Sequence, residues 1–166
     1  MIVDMNKEIT NKLKMIQEIV RTDISYMSLA LLKEKQVKEC TKDVEEVDNL
    51  GGFLWLKNQF EYMRFVDILF WVNDEKFEEH QNDIIMYKVP NKNKYICIGE
   101  VEPYPILLNK ENGKVYCIIS ELGERCDLKE YNKFEEFFNQ YVIGEKYLEF
   151  GSIKKWYDFM KEHEII

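Results

Sequence analysis

Glycine and proline are scarce in this chain, with seven and three in 166 residues. That leaves little room for flexible linkers, and the expectation is one domain spanning residues 1–166. Histidine is scarcer still: the two present, His80 and His163, lie far from each other and from the four cysteines. No two cysteines form a C-x-x-C pair. A zinc site needs closely spaced ligands, so no metal is expected, and nothing in the chain calls for a cofactor. Long apolar runs are missing too. No segment approaches the roughly 20 apolar residues that cross a bilayer. The start, Met1-Ile2-Val3-Asp4-Met5-Asn6-Lys7-Glu8, has acids where a signal peptide has a basic region followed by an apolar run. These absences place the protein in the cytoplasm, away from membranes. There Cys97 and Cys117, set within apolar runs, read as buried free thiols.

Hydrophobic residues make up 46% of the chain and charged residues 33%, a globular composition. The net charge of −8 is unevenly spread. Residues 1–50 carry ten acids and eight bases, and residues 51–99 carry seven and six. Residues 100–149 carry eleven acids against six bases, while the last seventeen residues balance at three and three. Phosphate backbones reward basic surfaces, so direct binding to nucleic acid is disfavoured. A localised acid excess instead suits a basic protein partner.

Periodicity gives an outline of the fold. Ile9, Leu13, Ile16 and Val20 share one face of a helix that Asn6 is placed to cap. After the break at Gly51-Gly52, Phe53-Leu54-Trp55-Leu56 reads as a short buried strand. Residues 60–72 fit both a helical stripe and strand alternation, with the balance toward helix. Residues 74–82 read as helix or loop. Strands are expected at Ile84–Val89, at Tyr95–Ile98 closed by Gly99, and on either side of the Asn112-Gly113 turn. Phe134, Phe137, Phe138 and Tyr141 form a later helical stripe, with Asn132 and Glu135 spaced as a capping box. A last helix carries Ile153, Trp156 and Met160. The order of helices, strands and helices predicts an α+β fold, with a central, mostly antiparallel sheet flanked by N-terminal and C-terminal helices.

No catalytic set emerges from the residues. His80 and His163 sit among polar neighbours and read as surface residues. The glycines lack the spacing of a phosphate-binding or dinucleotide fingerprint and read as turn residues. Carboxylate pairs such as Glu100 with Glu102 and Glu121 with Glu124 are numerous, and with 31 acids their proximity is expected by chance. A carboxylate-based hydrolase would need a cleft that separates their pKa values. Trp55, Trp71 and Trp156 read as core. Tyr104, in Glu100-Val101-Glu102-Pro103-Tyr104-Pro105, has two readings: an interface anchor beside steering charges, or a ring packed over the sheet end.

Gly51-Gly52, then Tyr95-Ile96-Cys97-Ile98-Gly99-Glu100, then Asn112-Gly113-Lys114-Val115-Tyr116 and Phe134-Glu135-Glu136-Phe137 follow one another in an order that resembles the SUKH superfamily over roughly residues 50–142. The resemblance implies a non-enzymatic α+β domain of the immunity type, which binds and neutralises a cognate bacterial toxin, often a basic nuclease. The expected binding residues are Glu100, Glu102, Tyr104, Glu121, Glu124 and Asp127. A general interaction or scaffold domain without a toxin partner is the alternative.

Overall fold

The computed structural model describes residues 5–37, 49–122 and 125–166, with residues 120–122 and 125 described in their backbone. Helix α1 (Lys7–Thr22) begins as its sequence dictates: the Asn6 side chain accepts the Glu8 N–H at 2.7 Å, and Ile9, Leu13 and Ile16 form its buried stripe. A 3-10 turn (Ile24–Ser28) leads into β1 (Ala30–Glu34). The chain continues through α2 (Gly51–Gln59), β2 (Phe60–Phe65), β3 (Ile68–Phe70), α3 (Asp74–His80), α4 (Asp83–Met86) and β4 (Tyr95–Val101). It ends with β5 (Tyr104–Asn109), β6 (Lys114–Leu122), β7 (Arg125–Lys133), α5 (Phe134–Phe137), a π-helical turn (Phe138–Val142), α6 (Tyr147–Phe150) and α7 (Lys154–Glu162).

The seven strands form one antiparallel sheet in sequence order. The architecture is α+β: the sheet carries α1 and the C-terminal helices on one face, over a core that includes Leu13, Phe65, Phe138 and Trp156. A smaller apolar cluster on the opposite face holds Trp71, Ile84, Val89, Cys97, Leu107 and Ile118 beneath the 74–90 segment. Strand β5 is sandwiched between the two. Ile106 and Leu108 enter the main core and Leu107 the smaller one, which is why its sequence is apolar without alternation.

Several local expectations give way to tertiary packing. Residues 53–56 are helical, because Phe53 and Leu56, three apart, are the pair that the core buries. Residues 60–70 are a β-hairpin turned at Val66 and Asp67, and Val66 takes a positive φ of 50°. At 84–89 the expected strand is replaced by α4 and a turn, burying Ile84 and Val89 and exposing Ile85 and Met86. Asn132 is the penultimate residue of β7 and caps nothing; Lys133 holds the cap position of α5 without a side-chain bond. In the 109–114 turn, Gly113 has a φ of +73°, and the Asn109 carboxamide oxygen accepts the N–H groups of Glu111 and Asn112.

Gly99 does not close a strand. It lies within β4, opposite Phe70, where an added Cβ would sit 2.2 Å from the Leu69 carbonyl oxygen. Strand β3 is three residues long and leaves the first half of β4 unpaired on that side. Gln81 completes the ladder. Its carboxamide oxygen accepts the Cys97 N–H at 2.9 Å, and its amide donates to the Cys97 carbonyl at 2.8 Å. A side chain thus supplies the two bonds that a longer β3 would have made.

Candidate functional site

Antiparallel order fixes which turns share an end of the sheet. Phe65 pairs with Ile68, Val101 with Tyr104 and Leu122 with Arg125, so the β2–β3, β4–β5 and β6–β7 turns all lie at one end. Acids far apart in sequence are gathered there: Asp67 in the first turn, Glu100 and Glu102 at the second, and Glu121 and Asp127 near the third. Glu121 lies opposite Cys126, and Asp127 opposite Ser120. Glu124 falls outside the described residues. Glu102 is close enough to act electrostatically on both Asp67 and Glu100.

These residues are not equivalent. Glu102 is exposed on its turn. Glu100 is half-buried, facing the smaller core from β4; burial pushes its carboxyl up, His80 pulls it down, and Asp83 and Glu102 raise it further. Tyr104 is half-buried, edge-on to Tyr87 with ring centroids 6.0 Å apart, and the Tyr87 hydroxyl donates to the Pro103 carbonyl at 3.1 Å. Packing over the sheet end therefore describes Tyr104 well. Immediately before Tyr87, Ile85 and Met86 are 61% and 63% exposed. They are an apolar pair that the strand reading of this segment did not single out.

Asp67 is burdened by its place in the hairpin. Its Oδ1 is buried without a hydrogen-bond partner among the described residues. Burial raises its pKa, its own backbone N–H lowers it, and Glu102 raises it. A carboxyl whose pKa is raised by folding binds its proton more tightly in the native state. Stability is therefore lost as pH rises from the ordinary carboxylate value through the raised native one, and the penalty is complete above it. Asp67→Asn is expected to stabilise the protein slightly at pH 7, by at most about 1 kcal/mol because solvent screens a half-exposed carboxylate, with the gain shrinking toward pH 4. Urea unfolding of both proteins across that range checks this; a less stable variant at pH 7 would contradict it.

Beside the acidic end lies a second group. The His80 ring stacks on Trp71 with centroids 3.7 Å apart and planes 1° from parallel, while its Nδ1 lies 2.9 Å from Asp83 Oδ2. His80 is therefore half-buried and engaged, not a free surface residue. His163 is likewise half-buried, packed against Phe159 and Tyr26. The spacing of His80 and Asp83, three apart, was the available signal, but it informs only if the segment is helical. Cys97 lies under the same segment, yet it is fully buried, and burial, reinforced by Asp83 and Glu100, pushes its thiol up to about 12. Such a thiol stays protonated at neutral pH and is not an activated nucleophile. Among the described residues, no group of three or more His, Cys, Asp or Glu side chains is arranged to hold a metal ion. No helix among them is long and apolar enough to cross a membrane.

Comparison of the chain with family models, with curated proteins and with solved structures gives no match.

Proposed function

We propose that this chain is a partner-binding domain of the immunity type, which neutralises a basic protein toxin by covering its working surface. One observation carries the reading. The meander brings acids from three separate hairpins to one end of the sheet, in a chain whose charge excess is concentrated in residues 100–149. A convergent negative end accelerates encounter with a cationic partner and orients it. Glu102 stands exposed for direct pairing, and Glu100 and Asp67 contribute field from behind it. Ile85 and Met86 supply exposed apolar area next to Tyr87 and Tyr104, the kind of contact that holds a complex once charge has steered it. The resemblance to the SUKH superfamily supports the toxin class of the partner.

Co-expression with the product of the adjacent gene tests the proposal. The expected result is a stable complex that co-purifies, together with protection of the host cell from the neighbour's toxicity. A toxic neighbour that never associates with this chain would defeat it.

A further inference from the structure

We propose that Asn112 is a site of spontaneous deamidation that the native β5–β6 turn keeps closed, so that its conversion to aspartate or isoaspartate records opening of that turn. The inference is independent of any toxin partner. Of the chain's asparagines, Asn112 alone precedes a glycine. Deamidation begins when the backbone nitrogen of the following residue, stripped of its proton, attacks the side-chain amide carbon. The new C–N bond closes a succinimide ring, and the carboxamide nitrogen takes up a proton and leaves as ammonia. Water then opens the ring at either carbonyl. One opening gives aspartate, and the other gives isoaspartate, with the main chain routed through the side-chain carbon. Glycine as the following residue puts no Cβ in the path of the attack.

The folded turn engages every atom the reaction needs. The Gly113 N–H donates to the Asn109 carbonyl at 2.9 Å, which holds the proton on the attacking nitrogen. The Asn112 carboxamide is tied at both ends: its oxygen accepts the Lys114 N–H at 2.8 Å, and its nitrogen donates to the Tyr116 hydroxyl at 3.2 Å. The Lys114 bond polarises the amide carbonyl, but no attack follows while Gly113 keeps its proton. Tyr116 is itself fixed, because its hydroxyl donates to Glu130 Oε1 on β7 at 2.6 Å. Burial and that bond raise the hydroxyl's pKa, so the chain from Asn112 through Tyr116 to Glu130 persists at mildly alkaline pH.

Neither product fits the closed turn. Gly113 lies against Asn49, where an added Cβ would sit 3.0 Å from Oδ1 and 3.3 Å from Cα. The Asn49 amide bonds the carbonyls of Lys110 and Glu111 at 3.2 and 2.8 Å. The extra main-chain methylene of isoaspartate has to be accommodated in this space. Aspartate keeps an acceptor for Lys114 but loses the donor to Tyr116, and then competes with Glu130 for one hydroxyl proton.

Incubation of the full chain at mildly alkaline pH, native and in guanidinium chloride, tests this, with peptide mass spectrometry reading the conversion at each asparagine. In the unfolded chain Asn112 is expected to convert first. In the native protein its conversion is expected to be at least about tenfold slower, because it has to wait for the turn to open. Tyr116→Phe keeps the ring against Tyr95, with centroids 5.4 Å apart in the wild-type protein, but removes the acceptor for the Asn112 amide. It should speed native conversion about fivefold, the effect of one neutral hydrogen bond, and leave the unfolded rate unchanged. Asn49→Ala, which frees the other side of the turn, serves if the phenylalanine variant does not fold. Equal native and unfolded rates at Asn112 overturn the proposal. So does an unfolded chain in which Asn112 converts no faster than the other asparagines, or a folded variant whose native rate matches the wild-type one.

Discussion

Replacing Trp156 with alanine is expected to cost about 4 kcal/mol of unfolding free energy, in the range seen for removal of a buried aromatic ring. Trp156 is fully buried. It stacks on Phe159 with centroids 5.3 Å apart, lies against Phe65 at 5.7 Å, and donates its indole N–H to the Val142 carbonyl at 2.9 Å. It thus joins α7, the sheet and the end of the π-helical turn. The loss has two parts: a cavity where the ring stood, and a buried carbonyl left without its donor. Trp156→Phe separates them in part, since it keeps a six-membered ring in the core while losing the N–H and the smaller ring that carries it, and should cost about 2 kcal/mol. Urea unfolding reads both, provided the slope of the transition is unchanged. An alanine variant within about 1 kcal/mol of the wild-type protein would show that the ring does not organise the core.

Gly99→Ala is the second large effect expected, at about 3 kcal/mol, the upper end for inserting a methyl group into packed structure. The obstacle is backbone, not a flexible side chain. The new Cβ would lie 2.2 Å from Leu69 O and 3.2 Å from both Leu69 C and Phe70 Cα. Among the described residues, β3 is the only strand that joins the β1–β2 pair to the rest of the sheet. Relief of the clash therefore means parting β3 from β4 and dividing the sheet. The expected signature is a lowered urea midpoint with the exchange protection of the Trp71 amide lost first, because its N–H is bonded to Ile98 across this junction. Unchanged stability would mean that β3 and β4 can separate slightly without loss.

The sequence was most legible where a local rule and the tertiary fold agree. Helix α1 has a capping side chain and a single apolar stripe, and both survive in the fold. The β5–β6 hairpin has its Asn-Gly turn between apolar runs. Legibility fails where only packing decides. Phe53-Leu54-Trp55-Leu56 suits either period, and the core selects a helix by burying the first and last of the four. Edge strands β1 and β7 gave no signal. The first is five residues long, and the second carries Lys129, Glu130 and Lys133, the charges that keep an edge from pairing with another chain. The candidate site was legible as composition and not as place. Eleven acids in residues 100–149 announce a charge excess, but strand order decides that Asp67 joins Glu102 at one end, and that Glu100 is drawn toward His80. His80 itself was hidden, because its partners Trp71 and Glu100 are distant in sequence and meet only through the sheet.

The central claim is that the acidic end steers a basic partner, and the affinity for the adjacent gene's product tests it most directly when measured as a function of salt. The account predicts binding that weakens at least tenfold between about 50 and 300 mM salt, because exposed charges are screened over that range. It also predicts a similar loss, mainly in the association rate, for Glu102→Lys at low salt. Binding that ignores both salt and the charge at residue 102 would contradict it.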